Sequence, residues 1–185
     1  MSKKLSEMTL QELWQLFPIV LHEHDDQWLI WFQEECQTLK HILPRDVRIH
    51  HIGSTAIPGI WAKPIVDILV EASQTEFSEI DQALLQNAYL CMNTEATRRD
   101  YNKGYTDNGF ADRVFHLHLR TYGDHDELYF RDYMSEFPDM AAEYEKLKMS
   151  LWKPFEHNRD GYTNAKTEFI RLHTENAKRL YGKRY

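Results

Sequence analysis

The sequence predicts an α+β fold, a small sheet flanked by helices with further helices trailing at the C-terminal end. Three observations carry this. Residues 65–70 form a β-branched apolar run broken only by Asp67, the pattern of a strand covered on both faces. Residues 114–120 alternate, with Phe115, Leu117 and Leu119 on one face and Val114, His116, His118 and Arg120 on the other. Around these strands, apolar residues recur at helical spacing, as in Trp28, Leu29, Phe32, Cys36 and Leu39.

The elements follow in chain order. Thr9 and Glu12 make a capping-box pattern ahead of Leu13, Trp14, Leu16 and Phe17, so a short first helix is expected, ended by Pro18. Residues 19–21 are expected as a short edge strand. Asp25 or Asp26 caps a second helix running to about Lys40, with Trp28 and Trp31 read as core and rim packing. Residues 47–52 read as a strand, and Gly53, Ser54, Thr55, Pro58 and Gly59 as a turn-prone connection to the 65–71 strand, with Pro64 at its start. Ser78 with Asp81 opens a helix carrying Ile80, Leu84 and Leu85, and residues 89–92 read as a strand. Residues 94–109 are polar with two glycines, a long mobile loop or a hairpin. After the 114–120 strand and a turn at Gly123 and Asp124, helices are expected over 128–137 and 140–152, the second turning Tyr144, Leu147 and Trp152 inward. A loop over 158–161 precedes a last helix capped by Thr163 or Asn164, with Phe169, Ile170, Leu172 and Leu180 as its apolar stripe.

Composition narrows the function classes. The 185 residues suit one domain, 1–185, with a full core. A formal charge of -7 argues against a general nucleic-acid coat but leaves room for a local basic pocket. No apolar run is long enough for a membrane, and the Met1-Ser2-Lys3-Lys4 start lacks the apolar stretch of a signal peptide, so the expected setting is cytoplasmic. Cys36 and Cys91 are expected as buried free thiols. There is no internal repeat or low-complexity segment.

The stretch HHIGSTAIPGIWAKPIVDILVE, residues 50–71, holds the chemistry. Its Gly53-Ser54 pair, short connection and Asp67-bearing strand resemble the signature of polymerase-beta-like nucleotidyltransferases. As a whole, with His51, Ile52, Gly53, Ser54, Thr55, Pro58, Gly59, Lys63, Pro64 and Asp67, it is similar to the GrpB (UPF0157) family. The Asp-x-x-Trp start of the second helix, the His116-Leu117-His118 strand, Phe130-Arg131-Asp132-Tyr133 and Tyr162-Thr163-Asn164-Ala165-Lys166 resemble that family too, so the likeness covers nearly the whole chain. It implies a nucleotidyltransferase-like mixed sheet and transfer of a nucleotidyl group from an NTP to an acceptor, with a divalent metal, Mg or Mn.

The residues fit that chemistry in part. Gly53, Ser54 and Thr55 offer amides and a hydroxyl to phosphates, with Ser54 and Asp67 as the catalytic candidates. Asp67 matches the first metal carboxylate. The superfamily pattern wants a second acid two residues on, where this chain has Leu69. Glu71 shares the face but lies roughly 13 Å along the strand, too far to share an ion. His116 and His118 face one way and can join Asp67 as metal ligands, or can be hydrogen-bonded residues lining a groove; both readings stand. Of the neighbours His50 and His51, a regular strand can point only one at the site. Lys63, Arg131 and Lys166 are the favoured phosphate contacts, ahead of Arg98, Arg99, Lys103 and Arg120, and Tyr162 is read by default as a core or groove-wall aromatic, with stacking on a base as the alternative. The partner expected is a small-molecule nucleotide, with the acceptor open. The alternatives are a nucleotide- or phosphate-binding module without catalysis, and a His/Asp metal-dependent phosphate-ester hydrolase.

Overall fold

Asp67 lies on the second strand of a five-stranded mixed sheet in the order β1-β2-β5-β4-β3. The computed structural model describes residues 3–185, so Met1 and Ser2 of the expected leaderless start lie outside the described residues. The strands are β1 (Arg48–Ile52), β2 (Val66–Ala72), β3 (Leu90–Thr94), β4 (Arg98–Thr106) and β5 (Gly109–Thr121). The helices are α1 (Leu10–Leu16), α2 (Gln27–Ile42), α3 (Phe77–Gln86), α4 (Asp126–Glu136), α5 (Pro138–Trp152) and α6 (Arg159–Tyr181). β2 and β5 pair in parallel and the remaining neighbours are antiparallel. Among the described residues, no helix is long and apolar enough to cross a membrane.

β2 is covered on both faces, as its composition requires. Val66, Ile68 and Val70 join Leu117, Leu119 and Tyr101 in a core closed by Trp28 and Leu39 of α2 and Phe77, Ile80 and Leu84 of α3. On the opposite face Leu69 packs with Ile52 and with Leu128 of α4. The three C-terminal helices pack on one another through Phe130, Met134, Ala141 and Tyr144, with Phe169 and Ile170 at the edge.

Several expectations are corrected. Residues 19–21 form no strand; the chain there makes one isolated bridge, His22 to Ala62, and buries Ile19 and Leu21 against Tyr162. Of the two readings of the polar 94–109 stretch the hairpin holds and the mobile loop does not: it carries β4 and the tight turn into β5, with which β4 pairs antiparallel. The residues ahead of α3 are capped by a Ser73–Glu76 box rather than by Ser78, and Leu85 is exposed. α6 begins at Arg159, five or so residues early. Asn158 accepts from the Gly161 amide and caps it, and a β-carbon at Gly161 would strike the Phe155 ring, so glycine belongs to the first turn. Leu29, Leu172 and Leu180 face outward, and the buried positions of α6 are Tyr162, His173, Thr174 and Ala177. Both cysteines are free, but only Cys36 is buried; Cys91 sits on the exposed edge strand β3.

Candidate functional site

Cross-strand register builds the floor of the site. Asp67 of β2 pairs with His116 of β5, His116 with Asn102 of β4, and Asn102 with Leu90 of β3. These four side chains line one pocket of about 940 Å³, within the range of small-molecule sites. One row along, His118 pairs with Asp100. Gly53 and Ser54 line the same pocket, which α5 and α6 close with Tyr144, Lys148, Arg159, Tyr162 and Lys166.

Asp67 is the hub of this floor. His116 Nδ1 lies 3.3 Å and His118 Nε2 3.5 Å from the same oxygen, Oδ1. The far nitrogens are engaged as well: His116 Nε2 with the Tyr105 hydroxyl at 2.8 Å, His118 Nδ1 with Asp100 Oδ1 at 2.9 Å. Arg120 donates to that same Asp100 oxygen at 2.7 Å. Burial works against the charge on Asp67, but hydrogen bonds from His116 and His118 hold its carboxyl well below the usual carboxylate range. Burial pushes His116 down to about 4 despite the pull of Asp67. The same burial is overcome at His118, where Asp100 and Asp67 together raise it to about 9. Two imidazoles on one carboxylate are thus driven to opposite protonation states.

Cations gather at the other wall. Burial, then the charges of Arg159 and Lys166, lowers Lys63 to about 7. Burial, then Lys166, lowers Lys148 to about 7; its ammonium donates to the Trp61 carbonyl. The Lys166 ammonium sits 4.3 Å and that of Lys63 5.8 Å from the centre of the Tyr162 ring. Neighbouring cations add to the effect of burial on both lysines, a repulsion that an anion placed between them would relieve.

Of the residues nominated from sequence, Gly53, Ser54, Lys63, Asp67, His116, His118, Tyr162 and Lys166 come together. Thr55 does not line the pocket. It is buried, bonded to His51 Nε2 at 3.0 Å and donating to the Ile65 carbonyl, and so ties the turn to the sheet. Arg131 is elsewhere: its guanidinium donates to the His51 carbonyl at 2.9 Å, to Asp132 and to Tyr185. Arg98, Arg99, Lys103 and Arg120 are paired with Asp124, Asp81, Glu35 and Asp100. His51 stacks on Phe32, and His50 faces Glu71, so neither reaches Asp67. Tyr162 is almost wholly buried, its ring in the pocket wall between two ammonium groups.

Lys148, Arg159 and Tyr105 are among the pocket residues that escape a reading of the sequence. Lys148 occupies a core-facing position of α5 in step with Ala141 and Tyr144, and a lysine on an apolar stripe was the available signal. Arg159, Tyr162 and Lys166 share a face at helical spacing, visible only once α6 is known to begin at Arg159. Tyr105 follows the bulge at Gly104, which switches strand parity, so an odd position joins the face of Asp100 and Asn102.

The divalent metal implied by the resemblance was expected on Asp67, His116 and His118. These side chains meet as an ion-paired cluster, not as a ligand set. Both imidazoles converge on one oxygen of Asp67 and their other nitrogens are bonded away. Leu69, the position of the missing acid, is sealed in the core. Among the described residues, no group of three or more His, Cys, Asp and Glu side chains is arranged to hold a metal ion.

Comparison with known proteins agrees with the sequence signature. The family model described as GrpB protein matches residues 18–176. UPF0157 protein YqkA of Bacillus subtilis is 34% identical over 186 residues, 95% of this chain and 53% of that one, so the chain spans about half its length. The glutamate-rich protein GrpB of Alkalihalophilus pseudofirmus is 32% identical over 82% of this chain and 91% of its own. The crystal structure of conserved protein GrpB from Enterococcus faecalis matches with a TM-score of 0.76 at 29% identity, covering 88% of this chain and 99% of that chain.

Proposed function

The chain belongs to the GrpB family, and on that premise we propose that it binds a nucleoside triphosphate in the pocket between the sheet and α5–α6. One observation carries the reading: Lys63, Lys148, Arg159 and Lys166 converge on the pocket that the Gly53-Ser54 turn opens into. Among the described residues, with Lys4 they make five cations against the three carboxylates that line the pocket, Asp67, Asp107 and Asp160, and Asp67 is already shared by two histidines. The phosphates lie among the cations, with the Tyr162 ring as the backing of Lys63 and Lys166. Leu90 and Trp14 at the far end supply apolar surface for the remainder of the ligand.

Binding is favoured over transfer through two metal ions, which needs paired carboxylates that this site lacks. A metal-dependent hydrolase is disfavoured on the same grounds, because the His116 and His118 nitrogens are committed to hydrogen bonds. A nucleotide ligand and two free cysteines suit a reducing, nucleotide-rich setting, the cytoplasm.

The test is calorimetric titration of ATP, GTP, CTP and UTP, with and without Mg, into the parent chain and a Ser54→Ala, Lys63→Ala double variant. Binding by the parent that weakens at least tenfold in the variant is expected. Absence of binding by all four nucleotides, or equal binding by the variant, overturns the reading.

A further inference from the structure

Tyr105, His116 and Asp67 form a chain into the cation-lined pocket, a hydrogen bond followed by an ion-pair contact, and the nucleotide-binding reading gives it no task. Tyr105 Oη lies 2.8 Å from His116 Nε2, and His116 Nδ1 lies 3.3 Å from Asp67 Oδ1. An ionised Asp67 can only accept, so Nδ1 carries the proton and Nε2 presents its lone pair to the Tyr105 hydroxyl. Hydroxyl, base and orienting carboxylate stand in the order that activates a nucleophile in acyl-transfer triads.

The fold holds this tyrosine in place. Gly104 at the bulge has φ +90°, and a β-carbon there would run into the Arg113 carbonyl, so the bulge that turns Tyr105 toward the pocket requires glycine. The Tyr105 ring is held against Phe17 at 4.7 Å and Phe110 at 5.1 Å between centroids, which leaves the hydroxyl end for the site. The Arg159 guanidinium lies over the ring at 5.4 Å, beside the other phosphate-binding cations. His118 cannot replace His116 as base, because carboxylates engage both of its nitrogens.

We propose that Tyr105 is the nucleophile of a metal-independent nucleotidyl transfer, with His116 as its general base and Asp67 as the positioning carboxylate. The proposal rests on the nucleotide-binding reading above. In the first step the Tyr105 oxygen attacks the α-phosphorus, its proton passes to His116 Nε2, and the bond from that phosphorus to the bridging oxygen breaks. Pyrophosphate leaves with the electron pair, its charge met by the pocket cations. In the second step an acceptor hydroxyl, or water, attacks the same phosphorus. The Tyr105–phosphorus bond breaks, the phenolate oxygen regains the proton held on His116, and the acceptor's proton goes to solvent. The Tyr105 hydroxyl lies 2.8 Å from His116 Nε2, within the reach that direct proton transfer to a general base needs.

The test uses thymidine 5′-p-nitrophenyl phosphate, a nucleotidyl diester with a chromogenic leaving group, and the full chain in chelator. Release of nitrophenolate is followed in the first turnover, and acid-quenched protein is mapped by mass spectrometry. Expected are a burst of one nitrophenolate per chain and a thymidylyl group on the Tyr105 peptide. Tyr105→Phe should bind the ester as the parent does yet give neither burst nor adduct. His116→Gln should slow the burst on the order of 100-fold. Circular dichroism reports folding, and if Tyr105→Phe does not fold, the site of the adduct in the parent decides. Binding of the ester without burst or adduct, or an adduct on another residue, overturns the covalent step and leaves the binding reading standing. No binding of the ester or of any NTP overturns both.

Discussion

Gly53 and Asp67 touch so closely that no β-carbon fits between them. One built on Gly53 would lie 2.9 Å from both Cβ and Cγ of Asp67 and nearer still to its Oδ2. Gly53 also has φ +71°, a conformation L-residues rarely adopt. The turn and the carboxylate are thus one unit: the glycine allows the Ser54 turn to press on Asp67, and the two histidines hold Asp67 from the other side.

Gly53→Ala should therefore cost roughly 1–3 kcal/mol from backbone conformation alone, because its ψ of -172° puts it in a region that essentially only glycine adopts, with the side-chain clash added. Asp67 would be displaced from His116 and His118. Urea unfolding reads the stability and calorimetry reads nucleotide affinity. An alanine variant as stable as the parent would mean that the turn relaxes freely.

Lys166→Ala should weaken ATP binding about tenfold, the equivalent of one charge-assisted contact worth about 1.5 kcal/mol. Arg131→Ala, whose guanidinium serves the His51 carbonyl and Asp132, should change affinity far less at equal folding. Equal losses from the two variants would place the phosphates elsewhere.

Nucleotide affinity should fall as pH rises through about 7. Lys63 and Lys148 are lowered to about 7 by burial and by neighbouring cations, so their charge is lost in that window instead of near 10.5. Titrations at pH 6 and pH 9 at fixed ionic strength test this. Affinity that does not fall would show that these ammonium groups take no part.

Stability should have an alkaline limb that belongs to His118. Its folded value, about 9, lies above the ordinary 6.5, so its contribution is fully present below pH 6.5 and is lost as pH rises through 9. Asp67 and Asp100 are held below 3.8, so theirs is present above that value and lost as pH falls toward the lowered values. Asp100→Asn removes one partner of His118 and should move the alkaline loss to lower pH. Unfolding free energies from pH 5 to 10 for parent and variant show whether the limb moves.

Leu69→Asp should not restore a metal site. Leu69 is fully buried with Ile52 and Leu128, so truncation to alanine costs about 3 kcal/mol and a carboxylate there costs more. Thermal unfolding should show a marked loss, with no gain in Mn affinity by calorimetry. Stronger Mn binding by a folded Leu69→Asp chain would show that the position opens onto the pocket.

The sequence by itself determined the signature, the β2 and β5 strands, and the placing of Asp67, His116 and His118 on one face. All follow from spacing along the chain, because a strand's period of two is set locally. The α+β class and most helices were legible for the same reason, although the start of α6 was hidden by Gly161, which reads as a breaker and serves inside the first turn. Tertiary structure alone decided what that face does. Leu69 shares it with Asp67 but is sealed beneath Leu128, while two residues away Asp67 opens into the pocket. Arg131 and Lys166 both sit in family-like segments, yet Arg131 is bound to its neighbours and Lys166 reaches the pocket. Tyr105 joined the site through a bulge that breaks strand parity. Whether a charge pairs, is buried or stays available depends on groups brought close from far along the chain, and no local period encodes them.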